Sequence, residues 1–543
     1  MDEYLKKNYD KLIVAVIALF NIILHMVVSD NLEYHRDELL YFSLGQHPAL
    51  GYATVPPLIG WIAWLMQNLF GYSVFAVRLF PAILSGVMIM MAGSMAQLLG
   101  GSKYASVLAA VGLTISIFFM RSYLLFQPVH IEIFLWTLCV YLVIKFINTS
   151  SGKYLLLFGI VAGLSLLNKY LAGLLFAGLL LIVPFTKYRF VFTHKMFLAG
   201  MAAAFMVFLP NLLWQATRGF PVFDHIAELY ERHLVHMDIP LFLTEQLIMP
   251  FAGTFLTIAG IIFLLLNKKM HKFRFLGILS LFVITSLMLL KGKSYYTLGI
   301  FPFLIVTGAV AYEYWIRNRW FRIIFPLFLI MLAIPMVPFG IPVLDQEGLK
   351  EYFRTLDEKY GIDLGRRFED GSIHSLPQDY ADMLGWEELT LITNNAWQMV
   401  DDKEACLIYC ENYGQAGAIT ITGKKFNLPE AVSFHESFRY WIPEEFDPDI
   451  KTAIYINNEL GEDVNNLFSR ITPVGSISDP DAREFGTTVY LCENPNMSFN
   501  KFWRERLLEV LVDGIRRDED EDKLFEEFKR KHLFKEQSTY QNL

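Results

Sequence analysis

Long apolar segments alternate with short polar segments through residues 1–340 of the chain. A run of roughly 20 apolar residues is long enough to cross the hydrocarbon core of a bilayer as a helix. The pattern therefore predicts a polytopic α-helical membrane protein with about eleven transmembrane helices, and at most about thirteen. The predicted spans are residues 12–28, 79–99, 104–120, 129–147, 154–168, 171–185, 196–214, 246–266, 275–290, 294–312 and 321–338.

Basic residues are concentrated in every second loop between these predicted spans. Cytoplasmic loops of membrane proteins are enriched in Lys and Arg, so the basic loops are assigned to the inside. With a cytoplasmic N-terminus, the acidic residues of the remaining loops collect on the opposite face. We therefore expect a multi-pass protein of the cell inner membrane, with its acidic loops extracytoplasmic. The basic loops lie near residues 103, 145–153, 187–195, 268–274 and 317–322.

From residue 345 the pattern changes to short apolar segments that alternate with helix-like ones, which predicts a small α/β domain. An odd number of spans leaves this part outside. The predicted organisation is a transmembrane domain at residues 1–342 and an extracytoplasmic α/β domain at residues 345–543, ending in a charged helical tail. The strand-like segments are LTLIT (389–393), ACLIYC (405–410), TAIYIN (452–457) and TTVYLCE (487–493), and QAGAIT (415–420) is helix-like.

Composition supports a membrane protein and argues against a nucleic-acid partner. Hydrophobic residues make up 54% of the chain and charged residues only 18%, which excludes a purely soluble protein. The net charge of −8 is accompanied by no basic patch, so no nucleic-acid partner is expected. The four cysteines lack metal-ligand spacing. Cys410 and Cys492 each end an apparent strand, and either a disulfide or two free thiols is compatible with that position.

The first extracytoplasmic loop carries the adjacent carboxylates Asp37 and Glu38, flanked by His35 and Arg36. Ionisable groups beside a membrane segment are costly and often mark function. A carboxylate here can act as a general base toward an acceptor hydroxyl, or can cap a helix or pair with Arg36. Neighbouring helical residues point in different directions, so at most one of the two carboxylates is the base. Residues 38–44 and 58–70 are expected to form short helices in this loop.

Cations on the same face are few. Several of them converging at one site suit a lipid-linked phosphate, because phosphate oxygens favour charge-assisted donors. For each cation alone, snorkelling or pairing with a carboxylate is the competing interpretation. Tyr295 is either an interfacial aromatic residue or a phosphate hydrogen-bond donor. The cations are Arg78, Arg121, Lys169, Lys291 and Lys293.

A second acidic position on this face is Glu132, which lies next to His130 in the sequence HIE. Glu132 can orient an acceptor, bind a metal or pair with Arg121, and the residues leave these three roles open. No cofactor is firmly implied, and a divalent metal ion stays an open alternative.

Several segments occur in an order that resembles a known family. The chain is similar to the bacterial branch of the protein O-mannosyltransferase and aminoarabinose transferase family, whose members are GT-C glycosyltransferases. The resemblance covers nearly the whole chain. The segments are DELLYF (37–42), PPLIGWIAWL (56–65), AVRLFPAILSG (76–86), GLSLLNKYLAGLL (163–175), PNLLWQATRGFPVF (210–223), KGKSYYTLGIFPFLIVTGAV (291–310), DYADMLGWEEL (379–389) and CENYGQAGAI (410–419).

This resemblance implies an enzyme that moves a sugar from a polyprenyl-phosphate donor to an acceptor hydroxyl of a protein, lipid or glycan. The transfer takes place on the extracytoplasmic side, and direct displacement inverts the anomeric carbon. Asp37 matches the family's proposed base, with Glu38 as its companion. Donor-phosphate contacts map onto Lys169 and Lys293, and further onto Arg78 and Arg121, while relatives often have a Lys or His where Val55 precedes the Pro-Pro pair.

Two other classes of protein use related features. A transporter or flippase of lipid-linked sugars also needs basic groups, but such proteins place ionisable residues near the membrane midplane. An envelope assembly scaffold without catalysis accounts for the α/β domain and leaves the ordered extracytoplasmic loops unexplained.

Overall fold

The computed structural model describes residues 2–232, 237–363, 365–368 and 371–511. Its first 340 residues are almost entirely helical. The helices of this part are α1 (Asp2–Val27), α2 (Arg36–Ser43), α3 (Leu58–Phe70), α4 (Val74–Leu98), α5 (Lys103–Thr114), α6 (Ile117–Leu124), α7 (Pro128–Thr149), α8 (Lys153–Asn168), α9 (Ala172–Ile182), α10 (Lys195–Thr217), α11 (Pro221–Arg232), α12 (Ile239–Ile248), α13 (Thr254–Leu266), α14 (Arg274–Leu289), α15 (Phe301–Trp315), α16 (Arg319–Ala333) and α17 (Val337–Gly340).

Seven helices of the described chain are long and apolar enough to cross a bilayer, and two bent helix pairs raise this number to at most nine. The bent pairs are α5 with α6, which meet at 63°, and Ile239–Ile248 with Phe251–Leu266, which meet at 89°. Predicted spans 154–168 and 171–185 form the shorter helices α8 and α9. The 16 residues of α8 extend only about 24 Å. The chain is a multi-pass membrane protein, but the predicted number of about eleven spans is not confirmed.

Glycines let the two helices α13 and α15 approach to backbone contact. A Cβ atom added to Gly308 of α15 would lie 1.9 Å from the Leu256 carbonyl oxygen of α13. A Cβ on Gly260 of α13 would lie 2.1 Å from the Leu304 carbonyl oxygen of α15. Small residues drive helix association in membranes because they allow such close packing. The α13–α15 contact therefore depends on both glycines.

The loop after α1 forms the two short helices that the sequence predicts, α2 and α3. The α2 helix begins with a capping box, in which His35 Nδ1 accepts from the Asp37 backbone N–H at 3.0 Å. Glu38 completes the box by accepting from the His35 backbone N–H at 2.9 Å. This box fixes the first turn of α2, and with it the directions of Asp37 and Glu38.

The C-terminal part contains a four-stranded sheet of order β1-β2-β4-β3, with β1 parallel to β2 and the other neighbours antiparallel. Its strands are β1 (Cys406–Cys410), β2 (Thr452–Asn457), β3 (Phe468–Ser476) and β4 (Thr488–Pro495). Its helices are α18 (Gln346–Tyr360), α19 (Gln378–Ala381), α20 (Trp386–Met399), α21 (Tyr413–Thr422), α22 (Glu462–Leu467) and α23 (Phe499–Leu511). The predicted α/β class is confirmed.

Three details of this part differ from the sequence predictions or go beyond them. LTLIT (389–393) is wrong as a strand, because it lies inside α20, where Leu389 and Thr393 are buried one helical turn apart. The strand β3 was not predicted. Cys410 and Cys492 are free thiols, since β2 separates their strands. Much of the predicted charged tail falls on residues 512–531, outside the described residues.

The C-terminal part packs directly on the first loop of the membrane part. The backbone N–H of Glu33 donates to the Met383 carbonyl at 3.1 Å, and that of Arg36 donates to the Asp382 carbonyl at 3.0 Å. The Glu33 carboxylate in turn accepts from the Trp386 N–H at 2.7 Å. The helix α21 also packs against α2, where a Cβ added to Gly417 would lie 2.8 Å from the Leu39 Cβ. One surface is thus built from two distant parts of the chain.

The glycine contact between α13 and α15 yields a test of the packing. We expect Gly308→Ala to lower the thermal unfolding midpoint of the detergent-solubilised protein, because the methyl group meets the Leu256 carbonyl and forces the helices apart, at a cost of about 1–3 kcal/mol. Gly173→Ala in α9 is the matched control, because in the described structure its added Cβ would have no neighbour within 4 Å beyond the adjacent residues and the backbone of its own helix. Equal midpoints for the two variants would contradict this packing.

Candidate functional site

Asp37 lies in the first turn of α2 and is held by one residue from each part of the chain. Its Oδ2 atom accepts a hydrogen bond from Gln127 Nε2 at 3.0 Å, just before α7. Its Oδ1 atom accepts one from the Tyr413 hydroxyl at 2.9 Å, at the start of α21. The carboxylate is half-buried. Its orientation is therefore fixed by two neutral donors while part of it stays accessible.

Tyr413 is itself held in place. The Arg36 guanidinium lies 4.5 Å from the centroid of the Tyr413 ring, a cation–π distance, and the His435 ring packs edge-on against it. Asn412 caps α21 and fixes the residue that follows it. Burial raises the pKa of the Tyr413 phenol, and the charge of Asp37 raises it further. Tyr413 therefore stays protonated and donates to Asp37.

Glu38 points away from Asp37 into a fully buried ion pair with Arg78 of α4. Arg78 Nη2 lies 2.7 Å from Glu38 Oε2, and the Phe126 backbone N–H donates to Oε1 at 3.0 Å. Burial alone would raise the pKa of Glu38, but the charge and hydrogen bonds of Arg78 outweigh it and hold the pKa below the ordinary value. The geometry agrees with the prediction that only one of the adjacent carboxylates faces a common site.

The Arg78 guanidinium also makes hydrogen bonds that stabilise the fold. Besides Glu38, it donates to the backbone carbonyls of Ser29 and, at 2.8 Å, of Glu33. These bonds tie the end of α1 and the start of the first loop to α4. The predicted roles of Glu38 as catalytic companion and of Arg78 as phosphate ligand stay predictions.

Lys169 lies between α8 and α9 and pairs with Glu132 of α7, with 3.1 Å between Nζ and Oε2. Its ammonium also lies 4.3 Å from the centroid of the Tyr296 ring and 5.3 Å from that of Tyr295. Glu132 therefore pairs with Lys169 and not with Arg121, the partner that its sequence position suggests. An ammonium has three donors, so the Glu132 pair leaves Lys169 with further donors for a ligand.

The Asp37 and Lys169 regions meet through aromatic residues. Tyr41, one turn after Asp37 on α2, lies within electrostatic range of Asp37, Glu436 and Tyr296. Burial raises the pKa of the Tyr41 phenol, and the nearby acidic charges raise it further. Tyr295 also lies within electrostatic range of Asp37 and Tyr41. Asp37, the tyrosines and Lys169 therefore lie near one another at the same end of the helices.

Glu436 adds a second carboxyl group to this site from the C-terminal part. Its Oε2 atom accepts from the Thr54 hydroxyl at 2.7 Å, and its φ of 55° lies in the left-handed region that residues other than glycine rarely adopt. Burial raises the pKa of Glu436, and the charge of Asp37 contributes in the same direction. Strained residues of this kind cluster at functional sites because the surrounding structure must hold them.

The other predicted residues are distributed around this site. Arg121 pairs with Asp379 of the C-terminal part, with 2.9 Å between Nη2 and Oδ2. His130 is fully buried among aromatic rings, including those of Phe80 and Phe126. Lys293 lies within electrostatic range of His225. In the part of the chain that the structure describes, no group of three His, Cys, Asp or Glu residues is arranged to hold a metal ion.

Sequence reasoning missed the residues that hold Asp37. Gln127 and Tyr413 are 90 and 376 positions away along the chain, and neither belongs to a recognisable catalytic pattern by itself. Each nevertheless lies next to or within a segment that the sequence singles out. Gln127 precedes the helix-starting Pro128, and Tyr413 lies in the CENYGQAGAI segment that carried the family resemblance.

Residues 54–214 match the family model described as dolichyl-phosphate-mannose-protein mannosyltransferase. A search of curated protein sequences finds no match to the chain. The structure is similar to that of ArnT from Cupriavidus metallidurans bound to undecaprenyl phosphate, with a TM-score of 0.58 and 12% identity, over 88% of this chain and 97% of that one. For apo ArnT from the same organism, the TM-score is 0.53 and the identity 10%, over the same 88% and 97%.

These similarities define the class of protein. The chain has the GT-C fold, with a helical membrane part followed by a small α/β part. The resemblance to the protein O-mannosyltransferase and aminoarabinose transferase family, inferred above from sequence segments, is confirmed.

The buried Glu38–Arg78 pair yields a test with a defined pH dependence. We expect Glu38→Gln to lower the thermal midpoint, because it leaves a buried guanidinium without its counter-charge, at a cost of about 3–5 kcal/mol. In the unmodified protein, the Glu38 pKa is lower folded than unfolded. Its stabilising contribution is therefore complete above the ordinary value of 4.5 and is lost as the pH falls through the folded pKa.

Glu347→Gln is the matched control, because the side chain of Glu347 is 79% exposed and pairs with Lys350 on the surface of α18. We expect this control to retain the midpoint and the acid sensitivity of the unmodified protein. A Glu38→Gln variant with both properties unchanged would contradict a structural role for the pair.

Proposed function

We propose that this protein is a membrane glycosyltransferase that moves a sugar from a polyprenyl-phosphate donor to an acceptor hydroxyl. The observation that carries this proposal is the Asp37 carboxylate, held by Gln127 and Tyr413 in a site that extends to Lys169. The GT-C fold and the match to a dolichyl-phosphate-mannose-protein mannosyltransferase model support the same reaction class.

Asp37 is suited to act as the general base. Its two hydrogen-bond donors are a neutral amide and a neutral phenol, so they orient the carboxylate without neutralising its charge in an ion pair. Each carboxylate oxygen has a second lone pair that can accept a proton from a hydroxyl group. Glu38 lacks this capacity because Arg78 and two backbone amides already engage the lone pairs of its carboxylate. The catalytic role therefore falls to Asp37 rather than to its neighbour.

Lys169 is suited to bind the donor phosphate. It lies at the same end of the helices as Asp37, and the tyrosine rings beside it provide an amphipathic wall. Glu132 fixes the ammonium by a single short contact. ArnT, which shares this fold, binds undecaprenyl phosphate in its solved structure, and this supports a polyprenyl phosphate as the lipid portion of the donor.

The reaction is a single displacement at the anomeric carbon. The acceptor hydroxyl oxygen forms a new bond to this carbon while Asp37 takes the hydroxyl proton. The bond between the anomeric carbon and the phosphate oxygen breaks, and its electron pair stays on the polyprenyl phosphate. Lys169 stabilises the charge that grows on this leaving group. Attack from the face opposite the phosphate inverts the anomeric configuration.

The orientation of the site follows from loop charge. Asp37 and Lys169 lie at the helix ends opposite the basic loops that carry Lys269, Lys272 and Arg317. Because basic loops remain in the cytoplasm, we infer that the site and the C-terminal part face the extracytoplasmic side of the inner membrane. A donor with a long prenyl chain would then enter the site laterally from the lipid phase.

The direct experiment is transfer of radiolabelled mannose or aminoarabinose from undecaprenyl phosphate to envelope fractions of a strain that lacks the gene. We expect Asp37→Asn to lower kcat by about 10²–10⁴-fold, because the amide keeps the size and loses the basicity of the carboxylate. The KM for the donor should change little, since Asp37 does not contact the phosphate in this mechanism.

Asp30→Asn is the matched control, because Asp30 is an exposed carboxylate of the same loop. We expect it to transfer sugar at the unmodified rate. Near-normal transfer by a folded, membrane-inserted Asp37→Asn variant would overturn the role of Asp37. Failure of the unmodified protein to transfer either sugar would count against these donors.

A further inference from the structure

A cavity of about 720 Å³ opens at the helix ends opposite Asp37. Its wall includes the last turn of α4 and Asn148 near the end of α7. Arg78 and Leu98 are 20 residues apart on α4, a distance of about 30 Å along the helix axis. The cavity is therefore separated from the candidate catalytic site by most of the membrane thickness.

Four cations line this cavity together with a single carboxylate. The carboxylate, Glu313, is directed at Ser102, whose backbone N–H and hydroxyl both donate to it. The cavity therefore has a strong excess of positive charge. The cations are Lys269, Lys272, Arg317 and Arg322.

The polar and aromatic contacts of three of these cations are with uncharged groups. Lys272 donates to Asn148 Oδ1 at 2.7 Å, and Lys269 lies over the Tyr314 ring at 4.3 Å. Arg322 donates to the carbonyls of Ile316 and Glu313 at 2.8 and 2.9 Å. These contacts hold the cations at the cavity wall without neutralising their charge. The arrangement is complementary to an anion with several oxygen acceptors.

An apolar groove of about 470 Å³ adjoins the cavity, and Arg317 lines both. The groove runs along α16, where Phe321, Ile324 and Phe328 are 59%, 54% and 48% exposed. Trp315, which also lines the groove, is the kind of residue found at the membrane–water interface. A ligand that fills both spaces must therefore join an anionic head to an apolar chain.

We propose that this cavity and groove bind an anionic glycerophospholipid of the inner leaflet. The phosphate of the headgroup is bound among Lys269, Lys272 and Arg317, and an acyl chain follows the exposed apolar face of α16. Basic pockets between transmembrane helices on the cytoplasmic side are a known mode of anionic headgroup recognition. The site is distinct from the donor site, because the two lie at opposite ends of α4 and α7.

The proposal is tested by lipid enrichment around the full-length protein. The protein is reconstituted in vesicles of equal parts phosphatidylglycerol and phosphatidylcholine, extracted in mild detergent, and its bound lipids are quantified by mass spectrometry. We expect phosphatidylglycerol to be enriched, and the enrichment to fall about tenfold in the variant K269Q/K272Q/R317Q. Arg322 is left intact because it supports two backbone carbonyls.

The matched control is K187Q/R189Q/K195Q, which removes the same charge from another basic loop of the same face without touching the cavity. We expect this control to keep the enrichment. An equal loss in both triple variants would overturn the proposal, since it would mean general attraction to a positive face. The single variant Arg317→Gln, at an exposed position, should lose about threefold if the triple variant fails to fold.

Inorganic phosphate distinguishes a lipid from a free anion. Added to the extracted protein at millimolar concentration, it should displace little phosphatidylglycerol, because it cannot occupy the α16 groove. Binding of phosphate to the cavity with no enrichment of phosphatidylglycerol over phosphatidylcholine would overturn the lipid assignment.

Discussion

A guanidinium buried in the helical part of this protein must have a counter-charge, and Glu38 supplies it to Arg78 at 2.7 Å. The cost of removing two charges from water is offset only when their remaining donors and acceptors are satisfied. Backbone groups at Ser29, Glu33 and Phe126 meet that requirement. The pair therefore joins α1, the first loop, α4 and the start of α7 into one unit.

The direction of Asp37 follows from this pair. Because Glu38 is directed into the helical part, the preceding residue of the same turn is directed toward the C-terminal part. There Asp37 meets Tyr413, while Gln127 approaches it from the membrane part. The candidate base is thus shared between the two parts, which gives the C-terminal part a role in the site beyond covering it.

The sequence was sufficient for features that depend on local pattern. Apolar runs predicted a polytopic helical protein, and the loop helices α2 and α3 form where Pro and Gly breaks delimit them. The window LTLIT was too short to distinguish a strand from one face of α20. Long-range pairings could not be predicted from the sequence, since nothing local to Glu132 selects Lys169 over Arg121. Only the folded chain brings Tyr413 to Asp37 across 376 positions.

In the proposed mechanism, Tyr413 acts on catalysis by orienting the base, Asp37. A double-mutant cycle of Tyr413→Phe and Asp37→Asn, measured as kcat for sugar transfer, tests it most directly. We predict that Tyr413→Phe lowers kcat about tenfold in the unmodified protein and has no further effect in the Asp37→Asn background, because the residual rate no longer depends on the carboxylate. Equal proportional losses of kcat in both backgrounds would contradict an orienting role of Tyr413.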